Sequence, residues 1–455
     1  MNIVVIGTGY VGLVTGACFS EMGNTVTCVD NDPEKIRSIE AGHLPIHEPG
    51  LDELVTRNAK EGRLRFTSSL PQAMSGAHVY IIAVGTPPSD DGSADLTHVL
   101  VVARELGQHM TDYGTVINKS TVPIGTVSKV RSAIQQELVK RGVQVDFDVV
   151  SNPEFLKQGD AVADFLRPDR VIVGVENERA AQVMRLLYAP FIRNHERLLV
   201  MGTRDSEMTK YAANSMLATK ISFMNEIANL CEKTGVDVEN VRRGIGWDAR
   251  IGYAFIYPGC GFGGSCLPKD IKALIQMAEE SGFEPSVLRA VESRNEAQKQ
   301  LLFDKICKRF RRDLSGLTFG LWGLAFKPGT DDMREAPSIV LLQKLLTAGA
   351  KVRAYDPAAK EVARRTLPKQ WFENGSLMLS EHQYDALLQV DAMILVTDWK
   401  PFRNPDFACM KKTMKQTIIF DGRNQYDLKQ IAAEGFEYYS IGREAVLPLS
   451  NISGR

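Results

Sequence analysis

The sequence contains little cysteine, and its few cysteines are not arranged for pairing. There are seven in 455 residues, an odd number, and no two of them form a C-x-x-C pair. This pattern argues against a disulfide framework and against a structural zinc site. We therefore expect a reducing, cytoplasmic environment and no metal centre.

Long apolar runs and an excess of one charge are also missing. No run reaches the roughly eighteen apolar residues of a membrane span, and the opening MNIVVIGTGYVG lacks the basic start of an export signal. The formal net charge is -1, without a long block of like charge, which argues against nucleic acid or a membrane surface as partner. Chemistry on a small molecule is the expectation that remains.

What the sequence does contain is an alternation of short apolar strands with helix-length segments. Its length predicts two or three domains. Such alternation is typical of a parallel sheet with helices on both faces. In the N-terminal part, strands are predicted at 2–6, in NTVTCVD, and at 79–84, 114–118, 148–151 and 171–175.

The same pattern returns after Ser315, where LTFGLWGLAF mirrors NIVVIGTGYV and GAKVRAYDP mirrors GNTVTCVDNDP. Between the two patterns lie a predicted helix of roughly 28 residues and a second helical stretch, PSVLRAVESRNEAQKQLLFDKICKRF. We predict an α/β protein with two Rossmann-like, doubly wound parallel-sheet lobes, joined by a central helical domain with a long connecting helix. The predicted domains are 1–202, 203–310 and 311–455.

A glycine-rich turn follows the first strand. Gly7, Gly9 and Gly12 fit G-x-G-x-x-G, in which bare backbone lets a pyrophosphate approach a helix N-terminus. Asp30 ends the second predicted strand, where it could accept from a ribose hydroxyl. Because Asp30 would repel a 2'-phosphate and Asn31 follows it, NAD is favoured over NADP; FAD is not excluded by this motif. A tight turn without a cofactor is the alternative.

Polar residues follow several predicted strands. Ligands of open parallel sheets bind at the carboxyl ends of the strands, and these ends carry Thr86, Ser120, Thr121 and Glu154. For Ser120 and Thr121, ordinary turn capping is an equal alternative. Pro153 fixes Glu154 at a strand end, which favours a functional carboxylate there.

Lys210 and Asn214 are four residues apart on the long predicted helix and so share one face. A solvated lysine beside a solvated amide is the simpler interpretation of this spacing alone. The spacing alone therefore does not indicate that Lys210 and Asn214 are functional.

The stretch GFGGSCLPKD combines glycines with Cys266. Pro268 suits the start of a helix, which would place the thiol at a helix N-terminus, where a thiolate is stabilised. A glycine loop would leave the thiol accessible, and a positioned thiol can attack a carbonyl carbon. Cys260 lacks the helix-start context, and we interpret it as structural.

Six motifs occur in the order GTGYVG, KSTVP, SNPEF, KYAANS, GFGGSCLPKD and FKPGTDDMRE. In this order they resemble the UDP-glucose/GDP-mannose dehydrogenase family, and within it the members that oxidise UDP-glucose, over essentially the whole chain. The resemblance implies an N-terminal NAD-binding domain, a central dimerisation domain that makes a homodimer, and a C-terminal UDP-sugar-binding domain.

The resemblance also implies roles for individual residues. Cys266 would be the nucleophile, surrounded by Lys210, Asn214 and Asp270, with Thr121 and Glu154 managing a water molecule. Implied NAD contacts are Gly7, Gly9, Tyr10, Val11, Gly12, Asp30, Lys35, Thr86, Ser120, Thr121 and Arg334. Implied contacts to the UDP-sugar are Glu154, Phe155, Leu156, Lys157, Lys210, Asn214, Tyr257, Gly259, Gly263, Phe326, Lys327, Arg423 and, across the dimer interface, Arg250.

The implied reaction oxidises UDP-glucose at C6 to UDP-glucuronate, through a thiohemiacetal and a thioester on Cys266, with two NADH per turnover. Gln158 stands where many relatives carry a second glutamate, and it cannot act as a base. The alternatives are the same chemistry on GDP-mannose or a UDP-N-acetylhexosamine, and a non-catalytic nucleotide sensor. A two-electron hydroxyacid dehydrogenase would leave the cysteine without a task.

Overall fold

The computed structural model describes residues 1–89, 92–192 and 197–448. The chain divides into two compact units, Met1–Ala213 and Asn214–Arg455. Within the described residues, no helix has the length and apolar character that crossing a membrane would require. The sequence left the order of the tail after Ser440 open, and its last residues, 449–455, lie outside the described part.

The N-terminal unit is built around one eight-stranded sheet with the order β3-β2-β1-β4-β5-β6-β7-β8. Its strands are β1 Asn2–Ile6, β2 Thr25–Val29, β3 Leu64–Thr67, β4 Val79–Ile82, β5 Gly114–Asn118, β6 Phe147–Ser151, β7 Val171–Gly174 and β8 Leu198–Met201. Its helices are α1 Tyr10–Glu21, α2 Pro33–Glu40, α3 Leu51–Lys60, α4 Leu70–Ala73, α5 Thr97–His109, α6 Thr126–Arg141, α7 Ala161–Leu166 and α8 Glu178–Tyr188. Helix α9, Thr203–Thr234, contains the residue at which the two units divide.

Both faces of this sheet are covered. Ile3 and Val5 of β1 belong to one apolar core, whereas Val4 and Ile6 belong to another. Successive side chains of a strand point to opposite faces, so a strand that is apolar throughout must be buried on both. The strand order reverses between β1 and β4, which is where open α/β sheets form their ligand crevice.

The C-terminal unit repeats this architecture in a six-stranded parallel sheet with the order β11-β10-β9-β12-β13-β14. Its strands are β9 Thr318–Trp322, β10 Lys351–Tyr355, β11 Leu377–Leu379, β12 Ala392–Leu395, β13 Ile418–Asp421 and β14 Glu437–Tyr439. Its helices are α10 Val238–Gly246, α11 Leu267–Glu280, α12 Ser286–Gln298, α13 Leu301–Phe310, α14 Pro337–Thr347, α15 Lys360–Thr366, α16 Lys369–Glu373, α17 Phe407–Thr413 and α18 Leu428–Ala433. The predicted pair of parallel-sheet lobes with a helical region between them is confirmed.

Several details differ from the sequence-based expectation. The helical stretch predicted at the end of the central region is two helices, because α12 ends at Gln298 and α13 begins at Leu301. The N-terminal sheet contains one antiparallel pair, β6 with β7, and the short strands β3, β8, β11 and β14 were not predicted. Pro268 is the second residue of α11 rather than the first. The domain boundaries after residues 202 and 310 stay a prediction.

Candidate active site

The glycine-rich turn between β1 and α1 is shaped by close backbone approach. Gly7 has φ +103°, which favours glycine, and a Cβ on Gly12 would lie 1.8 Å from the Gly7 carbonyl oxygen. A Cβ on Gly9, the N-cap of α1, would meet nothing within 4 Å. The turn is therefore tight inside and open at the helix N-terminus, which fits a pyrophosphate.

Asp30 lies one residue beyond β2 and is held in a fixed orientation. Its Oδ2 accepts from Thr8 N at 2.9 Å, from Thr8 Oγ1 at 2.7 Å and from Lys35 Nζ at 2.6 Å. Burial alone would raise the pKa of Asp30, but the bonds from Lys35 and Thr8 outweigh it and lower the pKa. Oδ1 accepts a longer bond, 3.2 Å, from Asp32 N and keeps capacity for a hydroxyl donor. These residues fit the ribose of NAD.

The matching aspartate of the second lobe, Asp356, is used differently. It follows β10 as Asp30 follows β2, but it is only 3% exposed. Four backbone N–H groups and the Trp399 indole donate to its carboxylate at 2.7 to 3.1 Å. These bonds occupy the Asp356 carboxylate in holding the turn, so it is not left to bind a ribose. The repeated sequence pattern therefore reproduces the fold of the first lobe but not its ribose site.

The polar residues at the strand ends bond the backbone of neighbouring loops. Thr86 Oγ1 donates to Thr121 O at 2.8 Å, and Ser120 Oγ donates to Val84 O at 2.7 Å. The capping interpretation therefore describes Ser120, although a donating hydroxyl can still accept a bond from a ligand. These two bonds join the loops after β4 and β5.

Glu154 and Lys210 form a buried ion pair in the N-terminal unit. Lys210 Nζ donates to Glu154 O at 2.5 Å and lies 3.2 Å from Glu154 Oε1, and the two side chains are 4% and 6% exposed. Leu156 N donates to Glu154 Oε2 at 2.7 Å, and the Phe155 ring lies 5.1 Å from the ammonium. Lys210 is therefore not the solvated residue of the simpler interpretation.

The loop that follows Glu154 is anchored by a residue that the sequence did not single out. Glu48 is buried and accepts from Gly159 N at 2.6 Å and Ala161 N at 2.7 Å, and the Tyr10 hydroxyl also bonds it. Burial outweighs these bonds and raises the pKa of Glu48. Lys157, predicted to contact the sugar, pairs with Asp164 at 3.1 Å. No local pattern marks Glu48, because the backbone groups that it holds lie more than a hundred residues away.

In the C-terminal unit, Cys266 is the N-cap of α11 and is partly buried. Asp270, one helical turn later, is fully buried, and its N–H donates to Cys266 O at 2.9 Å. Asn214 Nδ2 and Lys269 Nζ each donate to the Asp270 carboxylate at 2.6 Å. The predicted Asp270 and Asn214 are thus in contact, and Lys269 is a partner that the sequence reasoning missed.

The glycine loop before Cys266 is buried rather than open. Residues 258–264 are buried, and amide side chains hold their backbone. Asn295 clamps Phe262 from both sides, accepting from its N–H at 2.8 Å and donating to its carbonyl at 3.1 Å. Gly259 N donates to Asn225 Oδ1 at 2.8 Å, and Gln298 Nε2 donates to Gly259 O at 2.7 Å. Cys260, 1% exposed, packs in the core as expected.

The glycines serve close approach instead. A Cβ on Gly263 would lie 2.4 Å from Glu335 O, and one on Gly264 would lie 2.8 Å from the Phe326 ring. Gly264 N donates to Arg334 O at 2.8 Å. The FKPGTDDMRE segment therefore packs directly against the cysteine loop, which brings two predicted motifs together.

Arg423, two residues beyond the end of β13, bonds the same loop. Its Nε donates to Val396 O at 2.6 Å, and its two terminal nitrogens lie 3.4 Å from Gly261 O and Phe326 O. The Lys327 ammonium lies 5.8 Å from the Phe326 ring. Three of the residues predicted to contact the UDP-sugar, Phe326, Lys327 and Arg423, thus share one region with Gly259 and Gly263.

Arg250, Tyr257 and Arg334 are predicted contact residues that are exposed. The Arg250 side chain is 89% exposed, and its guanidinium bonds the nearby Asp248 carboxylate at 2.6 Å. Tyr257 is 61% exposed and lies under Arg242 at 4.4 Å. Arg334, predicted to contact NAD, bonds Asp332 at 2.6 and 2.9 Å.

Comparison with known protein families identifies the family of this chain. Residues 1–192 match the NAD binding domain of the UDP-glucose/GDP-mannose dehydrogenase family, residues 204–297 its central domain and residues 320–428 its UDP binding domain. The chain belongs to this family. NAD, predicted from the glycine turn and Asp30, is thereby confirmed as the cofactor, and the chain is an NAD-dependent oxidoreductase with a UDP-binding domain.

Individual relatives of this family extend the match to nearly the full chain. A UDP-glucose 6-dehydrogenase of Pseudomonas aeruginosa is 52% identical over 97% of this chain and 98% of its own length. A UDP-glucose 6-dehydrogenase of Bacillus subtilis is 44% identical over 98% and 94%. Among solved structures, a UDP-glucose dehydrogenase of the archaeon Pyrobaculum islandicum superposes with a TM-score of 0.88, at 37% identity over 97% and 98% of the two chains.

Proposed function

We propose that this chain oxidises UDP-glucose at C6 to UDP-glucuronate. The observation that carries the choice of substrate is the 52% identity, over almost the whole of both chains, to a protein named UDP-glucose 6-dehydrogenase. The geometry supports the chemistry, because buried partners hold the lysine, the asparagine and the carboxylates that a four-electron oxidation needs, and the cysteine is the N-cap of a helix.

The overall reaction converts one primary alcohol, two NAD⁺ and one water into one carboxylate, two NADH and three protons. Bound NAD would accept a hydride in each of the two oxidations, and it would be held by the glycine turn, Asp30 and Lys35. The alcohol proton leaves through water held by Asp270 and Lys210. The positive charge of Lys210 favours the developing alkoxide.

Cys266 forms the covalent intermediates. Its sulfur bonds the aldehyde carbon to give a thiohemiacetal, whose oxyanion receives hydrogen bonds from Lys210 and Asn214. Loss of hydride from that carbon leaves a thioester. Water, oriented by Thr121 and activated by Glu154, then breaks the carbon–sulfur bond, releasing the acid and the thiol. The position of Cys266 at the N-terminus of α11 supports this role.

Residues 203–310 would act as a dimerisation domain. Met216, Phe223 and Leu230 of α9 are 61%, 56% and 57% exposed and recur every seven residues, so they form one apolar stripe, here named the α9 stripe. Exposed apolar stripes of this kind favour contact with another helix. A second copy of the chain would cover the α9 stripe, and Arg250 would reach its partner's sugar site.

The experiment is a count of NADH and an identification of product with purified protein and UDP-glucose. We expect two NADH per UDP-glucuronate. Cys266→Ser should lower the rate of acid formation by about a thousandfold or more, because the nucleophile is lost. Cys409→Ser, at another partly buried cysteine of the same unit, is the matched control and should keep the wild-type rate.

Other outcomes would contradict the proposal in distinct ways. One NADH per sugar with free aldehyde would remove the thioester route, and full activity of Cys266→Ser would remove the cysteine. Oxidation of GDP-mannose or a UDP-N-acetylhexosamine in preference to UDP-glucose would keep the chemistry and change the substrate. No NADH with any of the three would leave a nucleotide sensor.

A further inference from the structure

Lys119, in the KSTVP motif, is a buried cation whose contacts are with neutral groups. It directly follows β5, is 4% exposed, and donates to Asn152 Oδ1 and to Tyr188 OH, both at 3.2 Å. Among the residues that the structure describes, no carboxylate lies within ion-pair distance of its ammonium. The rings of Phe165 and Tyr188 stand 5.6 and 5.9 Å from it.

An ammonium in such a place is costly to the fold. Removal from water costs several kcal/mol for a buried ion unless a close opposite charge compensates. Burial accordingly lowers the pKa of Lys119 to about 8, the charge of Glu154 partly opposes that shift, and the charge of Lys210 adds to it. The group is therefore mainly protonated at neutral pH and loses its charge only as the pH rises through about 8.

The contacts of Lys119 join two loops of the candidate active site. Lys119 precedes Ser120 and Thr121, while Asn152 precedes Pro153 and Glu154. Asn118 and Ser151, the last residues of β5 and β6, are register partners, so Lys119 and Asn152 are the next pair along. Asn152 Oδ1 also accepts from Tyr188 OH at 2.6 Å, and Asn152 Nδ2 donates to Ile172 O at 2.8 Å.

The charges around this point do not cancel. The facing ionisable groups are Glu154 from the loop after β6, Lys210 from α9 and Tyr188 from α8. Burial raises the pKa of Tyr188, so it is neutral. Two ammonium groups and one carboxylate leave a net charge of plus one. Without Lys119, the Glu154 carboxylate and the Lys210 ammonium would form an ion pair with no net charge.

We propose that Lys119 is a positioning residue whose positive charge offsets Glu154, so that Lys210 keeps a net positive field for the developing alkoxide and oxyanion. It also fixes the loops that carry Thr121 and Glu154. This inference rests on the proposed function, since it assigns Lys119 a part in the same oxidation. Substrate and cofactor contact Lys210 and Thr121 rather than Lys119 itself.

The test is the pH dependence of kcat for UDP-glucose oxidation between pH 6.5 and 10, in the wild type and in Lys119→Met. The wild type should lose kcat as the pH rises through about 8, because Lys119 then becomes neutral. Lys119→Met should have a kcat lowered by about tenfold or more at neutral pH and should lack that decline. KM for NAD should stay within about twofold, because Asp30 and the glycine turn are unchanged.

Tyr188→Phe provides a second, independent test of the role of the Lys119 charge. It removes an acceptor from the ammonium and leaves the charge in place, so the pKa of Lys119 falls further and the decline of kcat should move to lower pH. A role in folding alone would not move a pH profile. This variant keeps the inference testable if Lys119→Met does not fold.

The outcomes separate the two proposals. A wild-type enzyme that makes two NADH per sugar, with Lys119→Met matching it in kcat and pH profile, would overturn the role of Lys119 and leave the proposed function intact. An unmoved profile in Tyr188→Phe would overturn that role as well. A wild-type protein that makes no NADH would overturn the proposed function and this inference with it.

Discussion

Two alanine substitutions in the glycine turn separate the demands of folding from those of the cofactor. In Gly12→Ala the new methyl group would lie 1.8 Å from the Gly7 carbonyl oxygen. In Gly9→Ala the methyl group would meet nothing within 4 Å, and φ at this residue is -74°, which alanine adopts without strain. The same chemical change therefore probes two different properties of one turn.

The expected magnitudes follow from these distances. Carbon and oxygen need about 3.5 Å, so the first turn of α1 would have to move by about 1.7 Å in Gly12→Ala. Gly7 is confined on its other side, because its N–H donates to Val29 O at 2.7 Å and its backbone packs against that of Ala83. We expect a loss of about 3 kcal/mol, the upper end for an overpacked core, or a decrease in Tm of roughly 6–12 °C for a unit of this size. Gly9→Ala should raise stability by ~0.5 kcal/mol, because alanine loses less chain entropy on folding.

Scanning calorimetry without ligand and titration calorimetry with NAD measure the two effects. Both variants should bind NAD at least about tenfold more weakly, since the helix N-terminus is displaced in one and covered by a methyl group in the other. Only Gly12→Ala should lose stability. Wild-type NAD affinity in Gly9→Ala would show that the pyrophosphate does not approach the open end of the turn, and a wild-type Tm in Gly12→Ala would refute the steric argument.

Three further predictions concern parts of the chain outside the glycine turn. Asn295→Ala leaves the buried N–H and carbonyl of Phe262 without their partners, so urea unfolding should show a loss of about 3 kcal/mol; a loss below about 1 kcal/mol would contradict the clamp. Phe223→Glu should convert a dimer into a monomer in light scattering, whereas Leu388→Glu, at a residue 51% exposed outside the α9 stripe, should not; a dimer in both would remove the α9 stripe as the interface. Between pH 8 and 10.5, Lys119 is charged in the unfolded chain but neutral when folded, so the stability of the wild type relative to Lys119→Met should rise by roughly 3 kcal/mol over this range in urea unfolding.

Local patterns were enough to predict the parts of the site that depend on neighbours in sequence. The β1–turn–α1 unit and the position of Asp30 just after β2 were predicted correctly, because a strand, a glycine turn and a helix start are all encoded within about thirty residues. The start of α11 was predicted to within one residue for the same reason, from Pro268. The two lobes followed from one repeated pattern.

What the sequence did not predict depends on contacts between distant segments. The break between α12 and α13 falls where Gln298 donates to Gly259 O, and helical periodicity carries no information about such a contact. Glu48 and Asn295 bond backbone groups far along the chain, and neither stands in a recognisable motif. The burial of the loop before Cys266 was not predicted, because composition reports glycine content but not whether the space for a side chain is filled.

Lys119, Glu154 and Lys210 are buried charged groups that lie where chemistry is proposed, and the burial of a charge costs folding free energy. Lys119 sits among apolar and neutral groups, where an aliphatic side chain would make the fold more stable at neutral pH. If Lys119 served the fold, Lys119→Met would lower both stability and activity. If it serves the charge balance at Lys210, the same variant should unfold at higher urea concentration at pH 7 and turn over more slowly. Opposite changes in stability and kcat are the signature of a residue retained for function.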